Sequence, residues 1–410
     1  MSRMTLLLTI VALLLVGSVI AAESNGRIYG KITTTDGDVF EGLIRWDKNE
    51  ANWVDVLNGN KDQPKSKSRR SKRSRRDRET SIEIFGIKIG EGSNSWNWSS
   101  SAQSGIRFGH IRTMEVVDDD AVLLILKSGD EVELNNGSTD IGSSIREIII
   151  EDDHEGEIEL VWDDIEKIDF STAGSNLESN FGKRLYGKLT TRRGDEYTGY
   201  VCWDVDELFT TDILDGEDRR RDRKIKFGKI SSIERYSSSG ATITLTNGDE
   251  MVLRGSNDVD DDNRGITISD PGFGQVVVEW DEFDRIDFSE APRQVGYDEF
   301  DGGHRIRGTV HTEDGESFTG DIRWDDDEEY TWEILDGEYR DVEFDVEFGL
   351  IAKIEKRSYR SSIVTMKDGR TFRLRGSNDV DGDNRGVFID TDDDEVEIDW
   401  EDFSHVEFDN

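Results

Sequence analysis

The chain of 410 residues contains one cysteine, Cys202, so an intramolecular disulfide is excluded. Cys202 lies in Tyr200-Val201-Cys202-Trp203, a strand-like stretch whose counterparts elsewhere in the chain carry Arg45 and Arg323, so the thiol has no repeated role. Prolines number three, and little of the chain reads as helix. Catalytic signatures are missing: there is no HExxH, CxxC or GxSxG. The five histidines (His110, His154, His304, His311 and His405) are scattered and occupy different repeat positions. Pairs of acids of the glycosidase kind exist by sheer number, but no motif singles one out. The reading is of a protein that is not an enzyme. Positive charge is also short, with 51 Lys and Arg against 91 Asp and Glu, a net charge of −40. Such a surface repels nucleic acid and anionic membrane and favours cations or basic partners.

Long apolar runs are confined to the start. Arg3 is followed by an apolar stretch over 6–20, then Ala21 and Ala22 before Glu23. This is the pattern of a secretory signal peptide at 1–22, and the run is shorter than the roughly 20 apolar residues a membrane span needs. Export to a periplasmic, cell-surface or extracellular location is the expectation, with no membrane span after cleavage. So charged a chain could be disordered. Ten Trp, 18 Phe and regular strand patterns argue otherwise.

Internal repetition decides the architecture. Gly30-Lys31-Ile32-Thr33-Thr34 returns as Gly187-Lys188-Leu189-Thr190-Thr191 and as Gly308-Thr309-Val310-His311-Thr312. Trp46-Asp47 returns as Trp203-Asp204 and Trp324-Asp325, and 253–265 returns almost unchanged as 374–386. Three units follow, at 27–172, 184–289 and 305–409. Each has two halves of similar grammar, built from short alternating strands. Asp36-Gly37, Asn247-Gly248, Asp314-Gly315 and Asp368-Gly369 mark hairpins, because Gly and Asn accept positive φ. Val396-Glu397-Ile398-Asp399-Trp400 alternates strictly, which buries one face and wets the other.

The chain is therefore read as all-β. Asp314-Gly315, Gly320-Asp321-Ile322 and the 351–354 stretch give it a grammar that resembles small bacterial SH3-like or Sm-like barrel modules. That resemblance implies two small barrels per unit, six in all, and leaves function open, since such barrels bind RNA, peptides, metals or nothing known. Trp46, Trp203, Trp324, Trp162, Trp280 and Trp400 recur at strand ends, five of them before Asp. A six-bladed β-propeller is the alternative fold, although the uneven Trp spacing fits it poorly. These tryptophans are expected to cap small cores rather than to stack on sugars. Polar, glycine-containing linkers at 173–183 and 290–304 suggest units free to reorient.

The first unit carries a basic insertion within about 60–107. Its run over 65–76 includes Lys67, Arg69, Arg70, Lys72, Arg73, Arg75 and Arg76 and has no apolar residue, so it reads as a mobile loop. These residues are candidate contacts for a polyanion; the other reading is a loop folding back on the protein's own acidic surface. The sharpest chemical candidate is the loop Asn257-Asp258-Val259-Asp260-Asp261-Asp262-Asn263 and its copy at 378–384. Acids at alternate positions suit a hard cation such as calcium. Asp258, Asp260, Asp262 and Asn263, with Asp379, Asp381, Asp383 and Asn384, are the candidate ligands. The loop is not an EF-hand, since its sixth, eighth and twelfth positions carry the wrong residues. A purely structural Asx-rich loop, neutralised by Arg264 or Arg385, is the competing reading. No cofactor is required by any motif. Together these features describe an exported acidic binding or structural protein of the envelope or extracellular space. Its expected partner is a protein or polysaccharide; the alternative is a calcium-dependent carbohydrate- or matrix-binding protein.

Overall fold

A computed structural model describes residues 26–62, 83–84, 87–88, 101–135, 139–152, 154–174, 177, 179–392 and 394–409. The fold is all-β and antiparallel, dominated by three large sheets of ten, ten and eight strands, one centred on each repeat unit. Among the described residues no helix is long and apolar enough to cross a membrane. The four Asp-Gly and Asn-Gly turns form as their chemistry requires, with φ between 87° and 90° at Gly37, Gly248, Gly315 and Gly369.

The two halves of a unit do not form separate barrels. In the third unit the opening strand Arg307–Thr312 lies between Ser317–Trp324 and the closing strand Phe403–Phe408. Tyr29–Thr34 pairs likewise with Ile165–Phe170, and Tyr186–Thr191 with Phe283–Phe288. One curled sheet thus runs through both halves of each unit, and among the described residues no sheet closes on itself. Three sheets of this kind also replace the six blades of a propeller. The physical cause is that opening and closing strands alternate in phase, so pairing them buries Ile32 with Ile168, Leu189 with Ile286, and Val310 with Val406. A bulge recurs at Thr33/Thr34, Thr190/Thr191 and His311/Thr312 and bends each opening strand. Gly42, Gly199 and Gly320 sit where a Cβ would lie 1.9–2.3 Å from the carbonyl oxygen of Glu151, Ser269 or Asp390, so only glycine fits.

Inside each sheet the repeated tryptophans meet in pairs, edge to face. Trp46 meets Trp162 at 6.3 Å, Trp203 meets Trp280 at 6.4 Å, and Trp324 meets Trp400 at 6.3 Å. All six are buried, as core-capping residues should be.

The units are packed together rather than strung out. The second and third share one continuous apolar core. The third unit's hairpin, Ile334–Tyr339 and Val342–Glu347, extends the second unit's sheet along the edge strand Gly274–Val278. Phe344 is buried there against Phe372, Tyr197 and Phe273. The second unit's equivalent hairpin, Ile213–Asp218 and Arg221–Lys226, remains a separate two-stranded ribbon. Arg221 and Arg223 replace Val342 and Phe344, so beyond Leu214 and Ile225, which pack on the core, the ribbon offers no apolar surface to a neighbouring edge, and a charged edge resists further pairing. The linkers are docked as well. Tyr297 and Phe300 enter the first unit's core, Lys127 donates to both their carbonyls, and Phe181 stacks on Phe209 between the first two units. Asp55 pairs with Arg184, and Asp212 with Arg45, across the same boundary.

Candidate functional site: buried carboxylate clusters and an acidic junction

The strands Val39–Trp46, Glu196–Trp203 and Ser317–Trp324 each end in a tight turn with two successive positive-φ residues. These are Asp47 and Lys48, Asp204 and Val205, and Asp325 and Asp326. The turn closes when the tryptophan N–H donates to the carbonyl of Glu50, Glu207 or Glu328, at 2.8–2.9 Å. Each indole N–H donates in turn to the carbonyl of Asp140, Asp258 or Asp379, always at 2.9 Å. Tryptophan therefore ties a loop of the second half to the turn of the first. The side chains of Asp47, Glu50 and Asp140 gather there, as do those of Asp204, Glu207 and Asp258, and of Asp325, Glu328 and Asp379.

Each cluster has an arginine of its own. Arg146 pairs with Asp47, Arg264 with Asp204 at 2.7 Å, and Arg385 with Asp325 at 2.7 Å. The remaining acids are under-compensated. Burial, with Asp47 beside it, lifts the Asp140 carboxyl to about 7. Burial and the neighbouring Asp204 lift Asp258 to about 7, and burial with Asp206 lifts Glu207 to about 11. Glu50, Glu328 and Asp379 are pushed well above the ordinary carboxylate range for the same reasons. Chemically, such clusters hold protons or a cation.

The aspartates anticipated as calcium ligands are divided by this arrangement. Asp258 and Asp379 are buried, and their Oδ2 atoms accept the backbone N–H of Asp215 and Asp336. Asp260 and Asp381 instead accept from the N–H of Asp262 and Asp383, which are exposed. Asn263 and Asn384 cap Gly265 and Gly386. Of the eight, only Asp379 falls in a convergent carboxylate group, with Asp325 and Glu328; in the second unit the convergent group is Asp204, Asp206 and Glu207. Arg264 and Arg385 neutralise Asp204 and Asp325 on the neighbouring turn rather than the loop's own acids. The signal that could have found these groups is the pattern Trp-Asp-x-x-Glu at 46–50, 203–207 and 324–328, although a fourth match at 162–166 belongs to a second half and not to such a cluster.

A second feature is a cavity of about 390 Å³ where the three units meet. Asn58 and Ser104 of the first unit, Glu279 of the second, and Asp336, Glu343 and Asp345 of the third line it. Asp336 and Asp345 are directly opposed across the third hairpin. In the second unit the same positions hold Asp215 and Lys224, which form an ion pair at 3.5 Å. In the first they hold Asn58 and Gly105. The third unit alone sets acid against acid. Neither Asp336 nor Asp345 forms an ion pair among the described residues; Asp345 accepts from Gln275 Nε2 at 2.7 Å. Burial raises both carboxyls, and the charge of Asp345 raises Asp336 further, whereas the contacts with Gln275 and Asp336 oppose the rise at Asp345.

The basic candidates Lys67, Arg69, Arg70, Lys72, Arg73, Arg75 and Arg76 lie outside the described residues. Two of the scattered histidines do come together: His311 and His405 are cross-strand partners with rings stacked at 4.3 Å. Cys202 is buried between the first two units, and burial raises its thiol well above the ordinary range. No protein-family model matches the chain, and no curated protein or solved structure matches it.

Proposed function

We propose that this chain is an exported, non-catalytic binding protein of the envelope or extracellular space, which takes a cationic group of a partner into the acidic junction between its units. The observation that carries the reading is the opposed pair Asp336 and Asp345 on the cavity wall, where the second unit has an aspartate and a lysine. Like charges directly opposite on a sheet destabilise it, and a cation from outside removes that cost. A lysine or arginine side chain fits the polar lining, as does the ammonium group of a polyamine. The leader-like residues 1–22 and the net charge of −40 support an exported protein with a basic partner. Export is tested by N-terminal sequencing of the mature protein, which should begin near Ala22 or Glu23; Met1 on the soluble protein would overturn it. Calorimetric titration with spermidine or a lysine-containing peptide, against the wild type and the Asp336→Asn/Asp345→Asn variant, tests the site. Saturable binding lost in the variant supports it. Equal binding by both proteins would mean diffuse attraction to the acidic surface, and the reading would fail.

A further inference from the structure

We propose that Asp325, Glu328 and Asp379 form a site for one divalent, oxygen-preferring cation of the calcium class, seated beneath the Trp324 indole in the third unit. The site is distinct from the junction cavity, and its ligands differ from the alternating acids of the 378–384 loop, with which it shares only Asp379.

Geometry comes first. Each of the three residues offers a carboxylate oxygen within 4.8 Å of the others. Calcium binds oxygen at about 2.3–2.6 Å, so oxygens on opposite sides of the ion stand up to roughly 5 Å apart. A donor set made wholly of carboxylate oxygen selects hard cations over zinc or copper. All three side chains are buried, so a cation would replace water rather than be screened by it.

An independent observation points to a missing partner. Glu328 is only 7% exposed, and its Oε2 has no hydrogen-bond partner among the described residues. The equivalent oxygens of Glu207 and Glu50 are also unpartnered, so the feature belongs to the repeated turn and not to one side chain's placement. Buried polar atoms are rarely left so.

Charge and burial then separate the three units. In the third, Asp325, Asp327, Glu328 and Asp379 surround a single arginine, Arg385, which pairs with Asp325 and Asp327. Lys61, paired with Glu333, also donates to the Asp327 carbonyl and is a second cation beside Glu328. In the second unit a further arginine, Arg146, approaches Asp206 at 3.9 Å beside Arg264. In the first, Asn49 stands where the others have Asp206 and Asp327. The second and third clusters thus each keep their full set of acids beside two cations, but only in the third are all three converging side chains buried, since Asp206 and Glu207 are half-buried. The turn also fixes the ligands before any ion arrives, because Trp324 holds both the Glu328 backbone and the Asp379 carbonyl.

The test uses the full chain, stripped with chelator and dialysed. Calcium is titrated by calorimetry, and terbium, a luminescent substitute, is excited through tryptophan. One saturable site with sensitised emission is expected. Glu328→Gln should weaken it at least tenfold, while Glu328→Asp keeps the stoichiometry at lower affinity. Glu50→Gln and Glu207→Gln, and Asp345→Asn in the junction, should leave it unchanged. The proposal is overturned if the stripped wild type shows no saturable site, since protons then satisfy the cluster. It is also overturned if Glu328→Gln binds as the wild type does, or if Asp345→Asn abolishes binding, which would place the ion in the junction. Should Glu328→Gln fail to fold, the Glu328→Asp titration and the wild-type stoichiometry decide.

Discussion

Truncation of Phe344 to alanine tests how the second and third units are joined. The ring is 1% exposed and lies 4.9 Å from Phe372, 5.7 Å from Tyr197 and 6.1 Å from Phe273. Removing a buried phenylalanine costs about 3–5 kcal/mol through lost transfer energy and the cavity left behind. The upper part of that range is expected here, because Tyr197 and Phe273 belong to the second unit and Phe372 to the third, so no single unit can collapse into the space. The backbone pairs Gly274 with Val346 and Val276 with Phe344 remain able to form, but nothing apolar holds them together. Urea unfolding followed by tryptophan fluorescence gives the stability change. Amide exchange gives its location: protection should fall along 274–278 and 342–347, and hold along 29–34 and 165–170. A loss below about 1 kcal/mol would refute the reasoning, as would a larger loss with unchanged exchange at 274–278. Arg223, at the equivalent place in the undocked ribbon, pairs with Asp218 in a half-buried setting at the surface, and its replacement by alanine should cost no more than about 1 kcal/mol.

Two further outcomes follow from the buried charges. Asp140 and Asp258 are raised from the ordinary 3.8 to about 7, so the folded chain keeps protons that the unfolded chain releases. Stability should therefore fall as pH rises from about 4 to about 7, and chelator-treated protein should melt higher at pH 5 than at pH 8; the reverse order would contradict the burial of these acids. Asp55 caps the N–H groups of Ala51 and Asn52 and pairs with Arg184 across the boundary of the first two units. Asp55→Ala should cost about 3–5 kcal/mol in a urea melt by stranding a buried arginine, and a loss under about 1 kcal/mol would show that water reaches Arg184.

Much of the local structure was legible in the residues. Alternation gave the strands, Asp-Gly and Asn-Gly gave the hairpins, and the recurring Trp-Asp pairs gave buried core positions. Strand partners were not legible, because alternation fixes which face is buried and not which strand lies beside it. The opening and closing strands of the first unit pair Ile32 with Ile168, far apart in sequence, and no short motif records that. The calcium loops show the same limit. Acids at alternate positions look like ligands on one side of a loop, yet a single 3-10 turn at Asn257–Val259 buries Asp258 and leaves Asp262 exposed. Glu50, Glu207 and Glu328 went unread because a lone glutamate in an acidic chain looks like surface. The burial of Glu50 and Glu328, and the half-burial of Glu207, depend on the double positive-φ turn that precedes them. The linkers read as flexible from composition, but Tyr297 and Phe300 within the second one are core residues of the first unit.

The contrast between the second and third hairpins supplies its own experiment. Asp215 faces Lys224 in one, and Asp336 faces Asp345 in the other, on the same framework and in the same register. Replacing Asp345 by lysine gives the third hairpin the second one's chemistry. An aspartate–aspartate repulsion becomes an aspartate–lysine attraction, each worth about 0.2–1 kcal/mol on a sheet surface and more where water is scarce. The substitution forfeits the bond from Gln275 to Asp345, about 1 kcal/mol, so the net gain at pH 8 without ligand should be on the order of 1 kcal/mol. The backbone pairing of Gln275 with residue 345 is untouched, which keeps the hairpin docked. Because the new ammonium group occupies the junction, spermidine should no longer bind there. If Asp345→Lys instead lowers stability by more than about 1 kcal/mol while spermidine binding persists, the opposed aspartates are not the feature that makes the junction receptive to cations.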